Sequence, residues 1–151
     1  MIYKCKHFGL QELLSKAVYE DNIAKYGNNL WFIFDAAMLI TLDRLRERYG
    51  KTNMNNWQWG GQDDSRGYRS PEDPEGAKLS QHRRGTAADP WFEQLSADEV
   101  REDLEKNPRR PTFKHITCIE DGAIAKTWFH FDTRNWDRSK SGILIVKPMN
   151  R

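Results

Sequence analysis

Apolar residues recur at helical spacing in two stretches of the N-terminal third. Leu10, Leu13, Leu14 and Val18 predict a short helix over residues 10–18. Leu30, Phe34, Ala37, Leu39, Ile40, Leu42 and Leu45 form a wide apolar face. They predict the main core helix, running from Asn29 as N-cap to Tyr49. Arg44, Arg46 and Arg48 fall near its negative end, and Gly50 stops it. Met54 to Trp59 alternates weakly and reads as a strand leading into Gly60-Gly61. Residues 62–79 carry Gly67, Pro71, Pro74 and Gly76 among mixed charges and read as a loop. Ser96-Ala97-Asp98-Glu99 has capping-box spacing, and Val100 and Leu104 follow at helical spacing. A third helix therefore runs to about Lys106, ended by Pro108 and Pro111.

From Lys114 the pattern turns to strands. His115 to Glu120 and Ile124 to Thr133 flank Asp121-Gly122, which predicts a hairpin. Ile143-Leu144-Ile145-Val146 supplies a last strand over 142–147, closed by Pro148. Helices first and antiparallel strands later predict an α+β domain, with helices packed on an antiparallel sheet. At 151 residues the whole chain, 1–151, reads as a single domain.

Charge narrows the partners. Lys+Arg 24 against Asp+Glu 22 is too balanced to argue for nucleic acid. Aromatic residues at 12%, six of them Trp, point to a core built on large rings and to an aromatic-lined groove. The longest apolar run, Leu30 to Ile40, is broken by Asp35, so no membrane insertion is expected. Met1 to Leu10 carries Lys4, Lys6 and His7 and has no signal-peptide pattern, which predicts synthesis in the cytoplasm. Cys5 and Cys118 form neither a metal spacing nor a disulfide framework, in keeping with a reducing compartment. A monomer is expected.

Candidate chemistry centres on His82 and Asp89, seven positions apart with Gly85, Ala87 and Ala88 between them. A helix would put the pair on one face, but Gly85 and Thr86 disfavour one. A strand, a turn at Gly85 and a second strand would also bring them together. An imidazole and a carboxylate are ordinary zinc ligands, and a hydrolytic zinc needs a third protein ligand and an open position. Trp128-Phe129-His130-Phe131-Asp132 offers His130 as that third ligand.

Ser80-x-His82-x-x-Gly85-x-Ala87-x-Asp89, followed by Trp128-x-His130-x-Asp132, resembles the zinc peptidases of the D-Ala-D-Ala carboxypeptidase family. That family includes vancomycin-resistance D,D-dipeptidases and many phage endolysins, and shares its fold with the hedgehog signalling domain. Gly67-Tyr68-Arg69-Ser70, Asn55-Asn56-Trp57 and Gly60-Gly61 extend the likeness over residues 54–136. The resemblance implies Zn2+ held by His82, Asp89 and His130 and a peptidoglycan stem peptide as substrate. It also implies an arginine, Arg69, that grips a substrate carboxylate, and a Ser80 that either contacts substrate or fixes the loop. Cleavage by a phage or prophage endolysin, as carboxypeptidase or endopeptidase, is the implied activity. The enzyme would act at the cell wall after release, or from the virion. The alternative is a non-catalytic zinc-binding module of the same fold.

The chain departs from that pattern at two places. Pro90 stands where many members have an apolar residue, and Thr127 where many have an acid three positions before the last histidine. The general base must then come from elsewhere. In a hairpin turning on Asp121-Gly122, Glu120 lies ~30 Å along the strand from His130 and is excluded unless the hairpin is broken. Asp132 shares the face of His130, roughly 7 Å along the strand, and either acts as the base or orients a ligand histidine. The same hairpin sets His115 opposite Trp128, either diagonal to His130 and catalytic or merely an exposed strand histidine.

Overall fold

A computed structural model describes residues 2–149. The N-terminal apolar stretch is two helices, α1 (Leu10–Leu13) and α2 (Lys16–Tyr26), because Ser15 caps the second by accepting from Val18 N. The core helix also starts later than the apolar pattern suggests. Gly27 to Ile33 winds as a 3-10 turn, and α3 spans Ala36–Tyr49. Asp35, not Asn29, is its N-cap. Gly50 closes α3 at a positive φ, with Arg46 and Arg48 in the last turn.

Beyond α3, the short strand β1 (Thr52–Asn53) pairs with β3 (Trp91–Phe92). The stretch expected as a strand is instead a 3-10 turn at Trp57–Trp59. Trp57 Nε1 and Asn55 Nδ2 both donate to the Leu14 carbonyl, which holds this segment on the α1–α2 junction. Helix α4 (Ala97–Lys106) begins at the capping box of Ser96 and Glu99, as the sequence indicates. A second sheet runs in the order β2 (Ala87–Ala88), β5 (Phe131–Asp132), β4 (Cys118–Glu120), β6 (Leu144–Val146). A short helix, α5 (Arg138–Ser141), leads into β6.

The α+β class holds, but two sheet expectations are corrected. Strand β6 pairs parallel to β4, so the second sheet is mixed rather than antiparallel. Strands β4 and β5 pair with Cys118 opposite Asp132, not about a two-residue turn at Asp121-Gly122. Asp121 instead starts a compact turn, its carbonyl accepting from Ile124 N and Ala125 N, and Asp121 N bonds to Val146. Parallel pairing with β6 draws the chain at residue 121 sideways, so the return strand starts later.

One apolar cluster runs from Phe8 through α3 to Phe113, Phe129 and Phe131. Buried Asp43 on α3 accepts from Tyr3 Oη, Lys6 N and His7 N, which ties down the N-terminal segment. Both cysteines are free thiols. Among the described residues no helix is long and apolar enough to cross a membrane.

Asp35 also joins the parts that matter for the site. Its N–H donates to the Gly85 carbonyl at 2.9 Å, and its Oδ2 accepts from Thr133 Oγ1. Gly85 has φ +70, and a Cβ there would collide with the Ile33 carbonyl. Only glycine meets both constraints. Gly85→Ala is therefore expected to destabilise the protein by roughly 2–4 kcal/mol in urea unfolding. A loss below about 1 kcal/mol would contradict this packing.

Candidate metal centre

Three separate pieces of chain deliver the site. Ser80 caps the 3-10 turn Gln81–Arg84 by accepting from His82 N at 3.2 Å, and Gly85 N returns to the Gln81 and His82 carbonyls. The interval between His82 and Asp89 is thus a turn followed by strand β2, matching the second half of the strand–turn–strand reading. Asp89 follows β2 directly, its N–H held by the Arg66 carbonyl at 2.8 Å and its own carbonyl by Arg66 Nη1. His130 enters just before β5, where Glu120 N on the opposing strand donates to its carbonyl.

These elements bring His82, Asp89 and His130 together, each no more than 6% exposed. One ligand atom from each lies within 4.8 Å of the others, a group able to hold a metal ion. His82 Nε2 is 3.2 Å from one Asp89 oxygen and His130 Nδ1 is 2.7 Å from the other. The two rings meet edge to face at 5.2 Å.

The outward nitrogens of both rings are spoken for. His82 Nδ1 is 2.8 Å from the Gly67 carbonyl, which can only accept, so the ring proton sits there and the Nε2 lone pair faces Asp89. Gly67 must be glycine: a Cβ would run into the Leu13 carbonyl. His130 lies between two carboxylates, Nε2 3.0 Å from Asp132 Oδ2 and Nδ1 2.7 Å from Asp89 Oδ1, so Asp132 fixes the Nε2 proton and a bound cation would displace the one on Nδ1. His82 Nε2, His130 Nδ1 and the Asp89 carboxylate converge, and in the metal-free protein a proton on His130 Nδ1 bridges to Asp89. A divalent cation satisfies that arrangement, and the outer acceptors are those that fix ligand tautomers in metal sites.

Asp132 is fully buried and saturated. It accepts from His130 and, through both oxygens, from the Arg134 side chain at 2.7 Å, with Arg134 N as a further donor at 3.2 Å. These contacts suit a carboxylate that orients His130. Burial would raise its carboxyl pKa, but Arg134 and His130 hold it lowered. Asp89 behaves alike: burial opposes ionisation, and His82 and His130 pull it well below the usual carboxylate range. Burial would lower His130, yet Asp132 and Asp89 carry it up to about 10.

Glu120 is where the sequence argument fails. Because β4 and β5 pair in a later register than a tight hairpin allows, Glu120 sits opposite His130, its Oε1 3.7 Å from His130 Nδ1. Its side chain is only partly buried. No local pattern marks Glu120; the parallel β6 that displaces the turn is the signal, and it is a tertiary one. His115 goes the other way. It precedes β4, and its charged neighbours are Arg44, Lys114 and Asp35 rather than the histidine pair. The pairing with Trp128 does not form.

The cluster forms the floor of a cleft of about 380 Å3, walled by Arg69, Ser80, Glu120, Trp128, Arg134 and Val146. Arg69 Nη2 donates to Asp89 at 3.1 Å and Nε to the Ser65 carbonyl, so this arginine borders both cleft and ligand. Ser80 borders it too, with its hydroxyl committed to the turn. A larger groove of about 800 Å3, between α2 and residues 68–72, contains none of these charged groups. No protein-family model, curated protein or solved structure matches the chain.

The metal-free protein is expected to take up about one Zn2+, and none after His82→Ala or Asp89→Ala. Uptake at pH 7.5 should release about one proton or more, because His130 stays protonated until pH rises toward 10 without metal. Calorimetry in buffers of different ionisation heat reads this number, and zero release would contradict the site. In metal-free protein the sign is opposite to that for the carboxylates. His130 is raised above its unfolded value of about 6.5, so its stabilisation is complete below that pH and lost as pH rises through about 10.

Proposed function

We propose that this chain is a zinc-dependent peptidase that cleaves peptidoglycan stem peptides, as a carboxypeptidase or an endopeptidase. The fold would be that of the D-Ala-D-Ala carboxypeptidase and hedgehog class, and the setting phage or prophage lysis. The observation that carries the reading is the meeting of Glu120 with His82, Asp89 and His130 in one open cleft. A structural metal site is normally closed by four protein ligands; this one has three and opens onto a cavity. Two imidazoles and one carboxylate favour zinc over calcium or magnesium, which take oxygen ligands.

Bound there, zinc would polarise the scissile carbonyl and make a coordinated water more acidic, toward a pKa of ~7. Glu120 supplies the proton transfer: Oε1 takes the proton of the attacking water and returns it to the leaving amine. Asp132 holds His130 in the tautomer that presents Nδ1, and Arg134 holds Asp132. Arg69 steadies Asp89 with Nη2 and keeps Nη1 for a substrate carboxylate, a planar donor suited to that group. Trp128 supplies an aromatic wall.

Digestion of purified sacculi, with muropeptides read by mass spectrometry, tests the activity. Peptide cleavage should appear with zinc and vanish with a chelator; a zinc-loaded protein that cuts no wall peptide would leave a binding module instead. Glu120→Gln should lower turnover by on the order of 10²-fold or more with zinc content unchanged. Asp132→Asn should instead weaken zinc binding, by about 10–100-fold. The reverse pattern would return the role of base to Asp132.

A further inference from the structure

Arg134 is used only in part by the arrangement so far. Its backbone N, Nε and Nη2 all bind Asp132, while Nη1 has no hydrogen-bond partner among the described residues. The same holds for Arg69: Nε and Nη2 are engaged, and Nη1 is not. Both side chains line the metal cleft, and both are well shielded, at 13% and 29% exposed. Their positions are fixed by the two carboxylates that build the metal site, Asp89 for one and Asp132 for the other. Against Asp89, Asp132 and Glu120 stand two guanidiniums and, once bound, a divalent cation, so the cleft is net positive.

We infer that Arg134 forms a second anion subsite in the metal cleft, besides Arg69, and that the ligand is a peptide with a side-chain carboxylate near the bond at the metal. The inference rests on the peptidase reading for its choice of a peptide ligand. A peptide with one carboxylate would leave one of the two Nη1 groups facing the cleft without an acceptor. A diacid residue such as diaminopimelate, with its side-chain carboxylate free, satisfies both. Glu120 does not take that place: no oxygen of it lies within ion-pair distance of Arg134, and its nearest cationic partner is His130. Arg134 also differs from a lysine at this position. A fork engaged on Asp132 through two nitrogens still has a third to aim at the cleft, whereas an ammonium has one nitrogen and cannot span both places.

The test compares L-Ala-γ-D-Glu-diaminopimelate-D-Ala with the same peptide amidated on the side-chain carboxylate of diaminopimelate. Binding to the zinc-loaded Glu120→Gln protein is measured by calorimetry. The free acid should bind on the order of ten-fold tighter than the amide. In that background Arg134→Lys should reduce the preference to within about two-fold, and Arg69→Lys should leave it. The ratio is taken within each protein, so altered zinc occupancy, which weakens both peptides, does not move it. Equal binding of the two peptides, a preference intact in Arg134→Lys, or one lost only in Arg69→Lys would overturn the subsite. Hydrolysis by the Glu120-bearing protein is read separately: a chain that shows the preference but cuts neither peptide keeps the subsite and fails as a peptidase.

Discussion

The Asp89 carboxylate is the constraint on which this structure turns. It is buried, and three cationic or cation-seeking groups, His82, His130 and Arg69, point at its two oxygens. An ionised carboxylate in such a place is costly unless paired, and removing a partner leaves a buried charge uncompensated. The surroundings answer that demand from several directions. Arg66 clamps its backbone, Gly67 fixes the His82 ring, and Asp132 fixes the His130 ring. Positive charge answers the Asp89 carboxylate in either state, from the His130 proton and Arg69 without metal and from a cation held by the two rings with it.

The scaffold is arranged to make that meeting reproducible. Strands of two or three residues are too short to define a site by sheet pairing alone. Rigidity comes instead from side chains that bridge elements distant in sequence. Asp35 starts the core helix, holds the His82 turn through Gly85, and holds the His130 strand through Thr133. Gly67 and Gly85 permit backbone approaches that any Cβ would block, and both serve His82. The two arginines of the cleft follow the same economy: each braces a carboxylate of the metal site and keeps a donor for the cavity.

The meeting of His82, Asp89 and His130 was legible because local turns and motifs present each of them. Ser80 and Gly85 punctuate the turn that presents His82, the capping box starts α4, and Gly50 ends α3 where the pattern says. What the residues did not reveal depends on competition between local signals and distant partners. Asn29 and Asp35 are both good caps, and packing of Asp35 against Gly85 and Thr133 decides between them. Asp121-Gly122 is a sound hairpin signal, but the parallel strand β6 captures Asp121 and shifts the return strand. That shift moved Glu120 into the cleft and left His115 outside it, while His82, Asp89 and His130 meet as expected. The peptidase resemblance is carried by motif order alone; the structure brings His82, Asp89 and His130 into one buried group.

The most direct test of the central claim is the coordination shell, read by zinc K-edge X-ray absorption on protein loaded with one equivalent. The account predicts two imidazole nitrogens and one carboxylate oxygen at about 2.0–2.2 Å, plus one further light-atom ligand from solvent. Sulfur in the shell, or a shell without imidazole scattering, would contradict it.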